Sequence, residues 1–161
     1  MLEKKCRWVK IYLYKFHSFT GENHAMEIDD SLKEKAIKRL QGLLDLQKEV
    51  EMKFGEKGYN VFIFGSYITV HFQEGKSDID IAIYSKDFDL YKRLACYLEE
   101  FFNMQGIKSD IFYIDTSIAA PVYCAPLNSK IQFTDYYPSE LYDFNQECQR
   151  KLNELKERAI G

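Results

Sequence analysis

"FIFGSYITVHFQEGKSDIDIAIY", residues Phe62 to Tyr84, is the stretch on which the reading of this chain turns. It opens as an apolar run, breaks at Gly65-Ser66, and re-enters an apolar run through Asp78-Ile79-Asp80. Strand alternation places Asp78, Asp80 and Ala82 on one face and Ile79, Ile81 and Ile83 on the other. Two carboxylates on one face of a strand that otherwise reads as buried are unfavourable unless something positive sits between them. Residues two apart on a strand have Cα atoms about 6.5–7 Å apart. Carboxylates at that separation can share divalent cations about 3.5–4 Å from each other, the geometry of two-metal phosphoryl transfer. Mg²⁺ suits such a site, because it takes a few carboxylates and completes its shell with water and phosphate oxygens.

Gly65, directly after a strand, lets the backbone approach a ligand without a Cβ in the way. Ser66 adds a hydroxyl, and a helical turn after it would present N–H groups suited to phosphate. A third carboxylate would complete the site. Asp110, near the start of "SDIFYID", is the first candidate, with Asp115 and Asp135 behind it. Such a group can assist deprotonation of an attacking hydroxyl. His71 reads as a loop or packing residue rather than a base.

Outward from this stretch, Ser31 and Glu34 form a capping box, and Leu32, Ala36, Leu40, Leu43, Leu44 and Val50 follow at helical spacing. They predict a helix over 31–54, ended by Gly55 or Gly58. Strands are expected over 60–64, 78–84 and 109–115, with a helix over 86–105 stopped by Gly106. "PVYCAPLNSK" reads as a short helix or loop, and "KIQFTDYY" as a fourth short strand. A closing helix over 140–158 would bury Leu141, Phe144, Cys148, Leu152 and Leu155. The order implies one α/β or α+β domain around a sheet, over 26–137, with 138–161 as its closing helix. Residues 1–25 stand apart as an N-terminal extension, and Met26 looks like a start in its own right.

The 161 residues suffice for one sizeable core. A net charge of −3 argues against wrapping a nucleic-acid backbone, though a small anion held through metal ions remains compatible. Cys6, Cys96, Cys124 and Cys148 lie far apart with no CxxC pair, as expected of reduced, mostly packed thiols in a cytoplasmic protein. No apolar run approaches the roughly 20 residues that span a bilayer. "WVKIYLYKF" near the N-terminus is interrupted by lysines and lacks a signal-peptide core.

"GSYITVHFQEGKSDIDIAIY" resembles the signature of the minimal nucleotidyltransferases, a branch of the DNA polymerase β-like superfamily. Their pattern is Gly-Ser, a spacer, then Ser-Asp-hydrophobic-Asp, matched here by Gly65, Ser66, Ser77, Asp78 and Asp80. "KSDIFYID" resembles the later strand and puts Asp110 in the place of the third Asp. The resemblance covers about residues 31–137. It implies a polymerase β-like mixed sheet flanked by helices, two Mg²⁺ ions on Asp78, Asp80 and Asp110, and a triphosphate at Gly65, Ser66 and Ser77. The implied reaction moves NMP from ATP or another NTP to a hydroxyl, releasing pyrophosphate. It also implies pairing with a helical HEPN protein as its antitoxin, in some relatives by adenylylating a tyrosine.

The chain departs from the pattern in one respect. Many relatives carry an Ala-Arg-Gly segment after Gly-Ser, whose Arg approaches the triphosphate. "YITVHFQEG" has no Arg there, and eleven residues separate Ser66 from Asp78. Lys76 is the candidate for the missing positive charge. A second reading follows, a transferase fold that neutralises a partner by contact alone, using the aromatic segment "FTDYYPSELYDF" (Phe133–Phe144). A third reading is transfer to a small molecule of the aminoglycoside type. The chain lacks an obvious second domain for that acceptor, although a homodimer could supply a wall.

Overall fold

A computed structural model describes residues 30–134 and 139–160. The N-terminal extension, with Cys6, and the candidate Asp135 lie outside the described residues. Helix α1 (Asp30–Phe54) begins with Asp30 in its first turn, where a negative charge complements the helix N-terminus. It buries Ala36, Leu40, Leu43, Leu46, Gln47 and Val50 along one stripe. Gly55 closes it at φ +86°, with its N–H donating to Glu51 O at 2.9 Å.

Strand β1 (Asn60–Phe64) leads into a four-residue 3₁₀ turn (Gly65–Ile68), and β2 follows at Ile79–Tyr84. Helix α2 (Phe88–Asn103) starts two residues later than its hydrophobic pattern suggests. Asp87 is its N-cap, accepting from the N–H groups of Asp89 (3.0 Å) and Leu90 (3.2 Å). Gly106, at φ +74°, stops the chain where expected, and β3 (Ser109–Tyr113) begins three residues on. A 3₁₀ turn (Pro121–Tyr123) and one turn of helix α3 (Cys124–Leu127) precede β4 (Ile131–Phe133) and the closing helix α4 (Ser139–Ile160).

The sheet is mixed, with strand order β3-β2-β1-β4. β1 pairs antiparallel with β2 and β4, while β2 and β3 run parallel across the α2 crossover. One face carries Ile63, Ile79, Ile81 and Ile83 against Leu40, Leu43, Leu94, Leu98 and Phe102 of α1 and α2. The other packs Phe62, Ala82 and Ile114 against Leu127 of α3 and Leu141, Phe144 and Cys148 of α4. This is the mixed sheet flanked by helices that the resemblance implies.

Two expectations are corrected at the edges. Strand β3 ends at Tyr113, because Asp115 turns the chain by accepting from Ser117 N at 2.9 Å and Ser117 Oγ at 2.6 Å. In α4, Leu152 is only half-buried and Leu155 is 51% exposed, since the helix outruns the sheet it covers. Of the aromatic segment's described residues, Phe133 and Phe144 enter the core and Tyr142 is an exposed ring; residues 135–138 lie outside the described residues. Among the described cysteines none is disulfide-bonded, and burial pushes the Cys124 and Cys148 thiols up. Among the described residues, no helix is long and apolar enough to cross a membrane.

Phe62 is fully buried at the centre of the second face. Phe62→Ala should lower the unfolding free energy by about 3–5 kcal/mol, read as a fall in the urea midpoint. Leu155→Ala should change it by no more than about 0.5 kcal/mol. Equal effects would mean that the burial pattern does not order the stability.

Candidate active site

The sheet register assembles the site. Phe64, the last residue of β1, pairs with Asp80 of β2, which pairs in turn with Asp110 of β3. Directly paired residues point to the same face, and neighbouring strands lie about 4.8 Å apart. Asp80 and Asp110 therefore project side by side. Asp78 stands just before the first ladder residue, two positions from Asp80. Burial, then the Asp110 charge, then the Asp78 charge push the Asp80 carboxyl above the ordinary aspartate range. Asp80 is half-buried, whereas Asp110, on the edge strand, is exposed.

Gly65 meets this group from β1. Its φ is +77°, and a Cβ built there would lie 2.2 Å from Asp80 Oδ2. Both the backbone conformation and the space thus require glycine. The chain then turns helically, as the phosphate-cradle reading expects. Thr69 closes the turn by donating its N–H (2.9 Å) and its hydroxyl (2.8 Å) to Ser66 O. Beside the carboxylates, on the same face, the rings of Phe64 and Phe112 meet edge to face at 5.8 Å.

The remaining candidates separate. Ser77 Oγ accepts from Gln73 N at 3.0 Å, and Ser77 N donates to Gln73 O at 2.8 Å, so Ser77 closes the loop before β2. Lys76 and His71 are exposed in the same loop. Asp115 lies beyond the opposite end of β3 from Asp110. Its bonds to Ser117 hold its carboxyl below the usual range.

One residue escapes sequence reasoning. Arg39 of α1 donates from Nε to Tyr67 O (3.1 Å) and from Nη2 to Thr69 O (2.7 Å). The available signal is its position three residues after Ala36 and four before Leu43, beside the buried stripe rather than on the solvent face.

Asp78 just before β2, Asp80 on β2 and Asp110 on β3 bring three carboxylates to one end of the sheet, oxygen donors of the kind that divalent metals take. The lack of a Cβ at Gly65 lets the Asp80 carboxylate lie directly against the backbone of the turn. Among the described residues, no group of three or more His, Cys, Asp or Glu side chains is placed to hold a metal ion as it stands. A cavity of about 670 Å³ between α1 and α2, lined by Lys53, Phe54, Lys92, Arg93 and Tyr97 among others, includes none of these carboxylates. Chemistry rather than concavity locates the site.

Residues 43–139, more than half of the chain, match the family model described as the nucleotidyltransferase domain. No curated protein and no solved structure matches the chain.

Asp80 gives a pH test of this geometry. An aspartate whose folded pKa is raised binds protons more tightly folded than unfolded, so stability falls as pH rises through that interval. Asp80→Asn should therefore raise the thermal midpoint of the metal-free protein at pH 7. The gain should vanish below the ordinary aspartate value of about 3.9. A variant less stable than the wild type at pH 7 would show that Asp80 is not held against its preference.

Proposed function

The chain belongs to the nucleotidyltransferase domain family, and we propose that it transfers a nucleoside monophosphate, AMP from ATP first among the candidates, to an acceptor hydroxyl. The observation that carries this reading is the register Phe64–Asp80–Asp110 with Gly65 against the middle carboxylate. Asp78, Asp80 and Asp110 would hold two Mg²⁺ ions. When bound, these supply charge neutralisation of the triphosphate and Lewis-acid polarisation of its phosphorus.

The chain's own residues do the rest. Gly65 and Ser66 hold phosphate oxygens through the turn's N–H groups and the Ser66 hydroxyl. The loop's Lys76 adds positive charge from solvent. Asp110, exposed on the edge strand, faces an incoming acceptor and accepts its hydroxyl proton. The acceptor oxygen bonds to the α-phosphorus as the bond from that phosphorus to the leaving pyrophosphate breaks. The half-buried Asp80 and neighbouring Asp78 stay behind the phosphates rather than beside the acceptor.

The acceptor is proposed from the resemblance to minimal nucleotidyltransferases: a tyrosine hydroxyl on a HEPN-type protein partner, whose toxicity the modification would silence. Contact alone, without transfer, would instead leave neutralisation intact in carboxylate variants.

Calorimetric titration of ATP and GTP, with Mg²⁺ and with EDTA, tests the site. Binding is expected only with Mg²⁺ and is expected to disappear in Asp78→Asn/Asp80→Asn. Asp110→Asn should keep most nucleotide affinity while slowing transfer by about 10²–10⁴-fold. Binding that survives both EDTA and the double substitution would sink the assignment.

A further inference from the structure

The family resemblance leaves the Gly-Ser turn without the arginine that usually follows it. A guanidinium nevertheless reaches that turn from another direction. Arg39 projects from α1, partly desolvated, onto the carbonyls of Tyr67 (3.1 Å from Nε) and Thr69 (2.7 Å from Nη2). Its guanidinium lies over the Phe72 ring, with its carbon 4.9 Å from the ring centroid, and 5.8 Å from that of Tyr67. The Tyr67 ring in turn meets Phe72 at 5.0 Å and Phe102 of α2 at 5.8 Å. One arginine and two rings thus tie a four-residue turn to both helices on that face.

The last carbonyls of a helical turn have no partners within it, and a cation there complements the turn's dipole. Arg39 supplies charge and a donor to Tyr67 O within the turn, and a second donor to Thr69 O just past it, where the chain is already extended. The N-terminal end is Gly65, against Asp80. In a helical turn the N–H groups point opposite to the carbonyls. The Tyr67 carbonyl held on Arg39, with Thr69 O anchored just beyond it, therefore fixes the turn with its amides facing the carboxylate end.

We propose that Arg39 is a positioning residue for phosphate binding: it touches no phosphate, and it holds the Gly65–Ile68 turn in the orientation that offers its N–H groups to one. This inference rests on the nucleotidyl-transfer reading above. Lys cannot reproduce the clamp, because an ammonium is a point charge without the planar fork that spans two carbonyls and stacks on a ring.

The test pairs amide hydrogen exchange with MgATP titration, on wild type, Arg39→Gln and Arg39→Lys. In Arg39→Gln, exchange across residues 65–69 should quicken, most of all at Thr69, and the Kd for MgATP should rise about tenfold, equivalent to about 1.4 kcal/mol. Arg39→Lys should fall between the two. A purely stabilising arginine would lower the thermal midpoint yet leave the Kd of the folded protein within about twofold, and that result overturns the proposal. Unchanged exchange over 65–69 also overturns it. If the wild type binds no MgATP, the nucleotidyl-transfer reading fails on its own, and the phosphate-positioning role fails with it. Faster exchange would then show only that Arg39 clamps the turn.

Discussion

Asp80 is held beside two other carboxylates by a register that hydrophobic burial sets. Its partners across the sheet are Phe64 and Asp110, and the next position along β2, Ile81, is fully buried on the opposite face. Slipping the strand by one residue would take Ile79, Ile81 and Ile83 together off the face that α1 and α2 cover. Burying those three side chains contributes roughly 4–9 kcal/mol. Repulsion between charges about 5 Å apart near a surface is roughly 1–3 kcal/mol. The core term exceeds the electrostatic one, so the carboxylates are kept together even when nothing neutralises them. The clustering is in this sense a consequence of the isoleucine face.

The two faces of the sheet then divide the labour. The isoleucine face is closed along its length by α1 and α2, which fix the turn after β1 through Arg39 and Tyr67. The opposite face is closed by α3 and α4 only beyond Phe62 and Ala82. At the level of Asp80 and Asp110 it is half-buried to exposed. Tyr84 donates to Glu140, which also pairs with Lys86 at 3.4 Å, fixing the start of α4 at the end of β2 away from the carboxylates. Parallel pairing of β2 with β3 is what brings Asp110 to the same end as Asp80. An antiparallel third strand in the same place would begin at the other end and carry its first carboxylate away.

Much of this was legible in the residues because local signals and burial agree. Alternation of Asp and Ile predicts β2 and its two faces, and the Gly-Ser break predicts a turn that glycine geometry then requires. Helix starts were legible only to within a cap, since Asp87 arrests α2 by side-chain bonds that periodicity does not register. Ser77 matches a motif position yet bonds back to Gln73, because a loop hydroxyl takes the nearest backbone group available. Asp115 fits the strand pattern but turns the chain through Ser117. Arg39 meets groups 28 and 30 residues away in sequence, a contact that exists only once α1 has docked on the sheet. No local pattern encodes it.

The missing loop arginine and the presence of Arg39 bear on one physical problem. A four-residue turn has little internal hydrogen bonding, and its geometry must come from outside. A cation in the loop would have to serve the phosphates and the turn at once, from a segment that is largely exposed between Gln73 and Lys76. A guanidinium on a helix that buries six side chains against the sheet is held more firmly, and its donors go to backbone rather than ligand. Such an arrangement separates orientation of the turn from neutralisation of its ligand. On the proposed nucleotidyl transfer, neutralisation would then fall to cations held by Asp78, Asp80 and Asp110, whose placement rests on the register of β2 with β3.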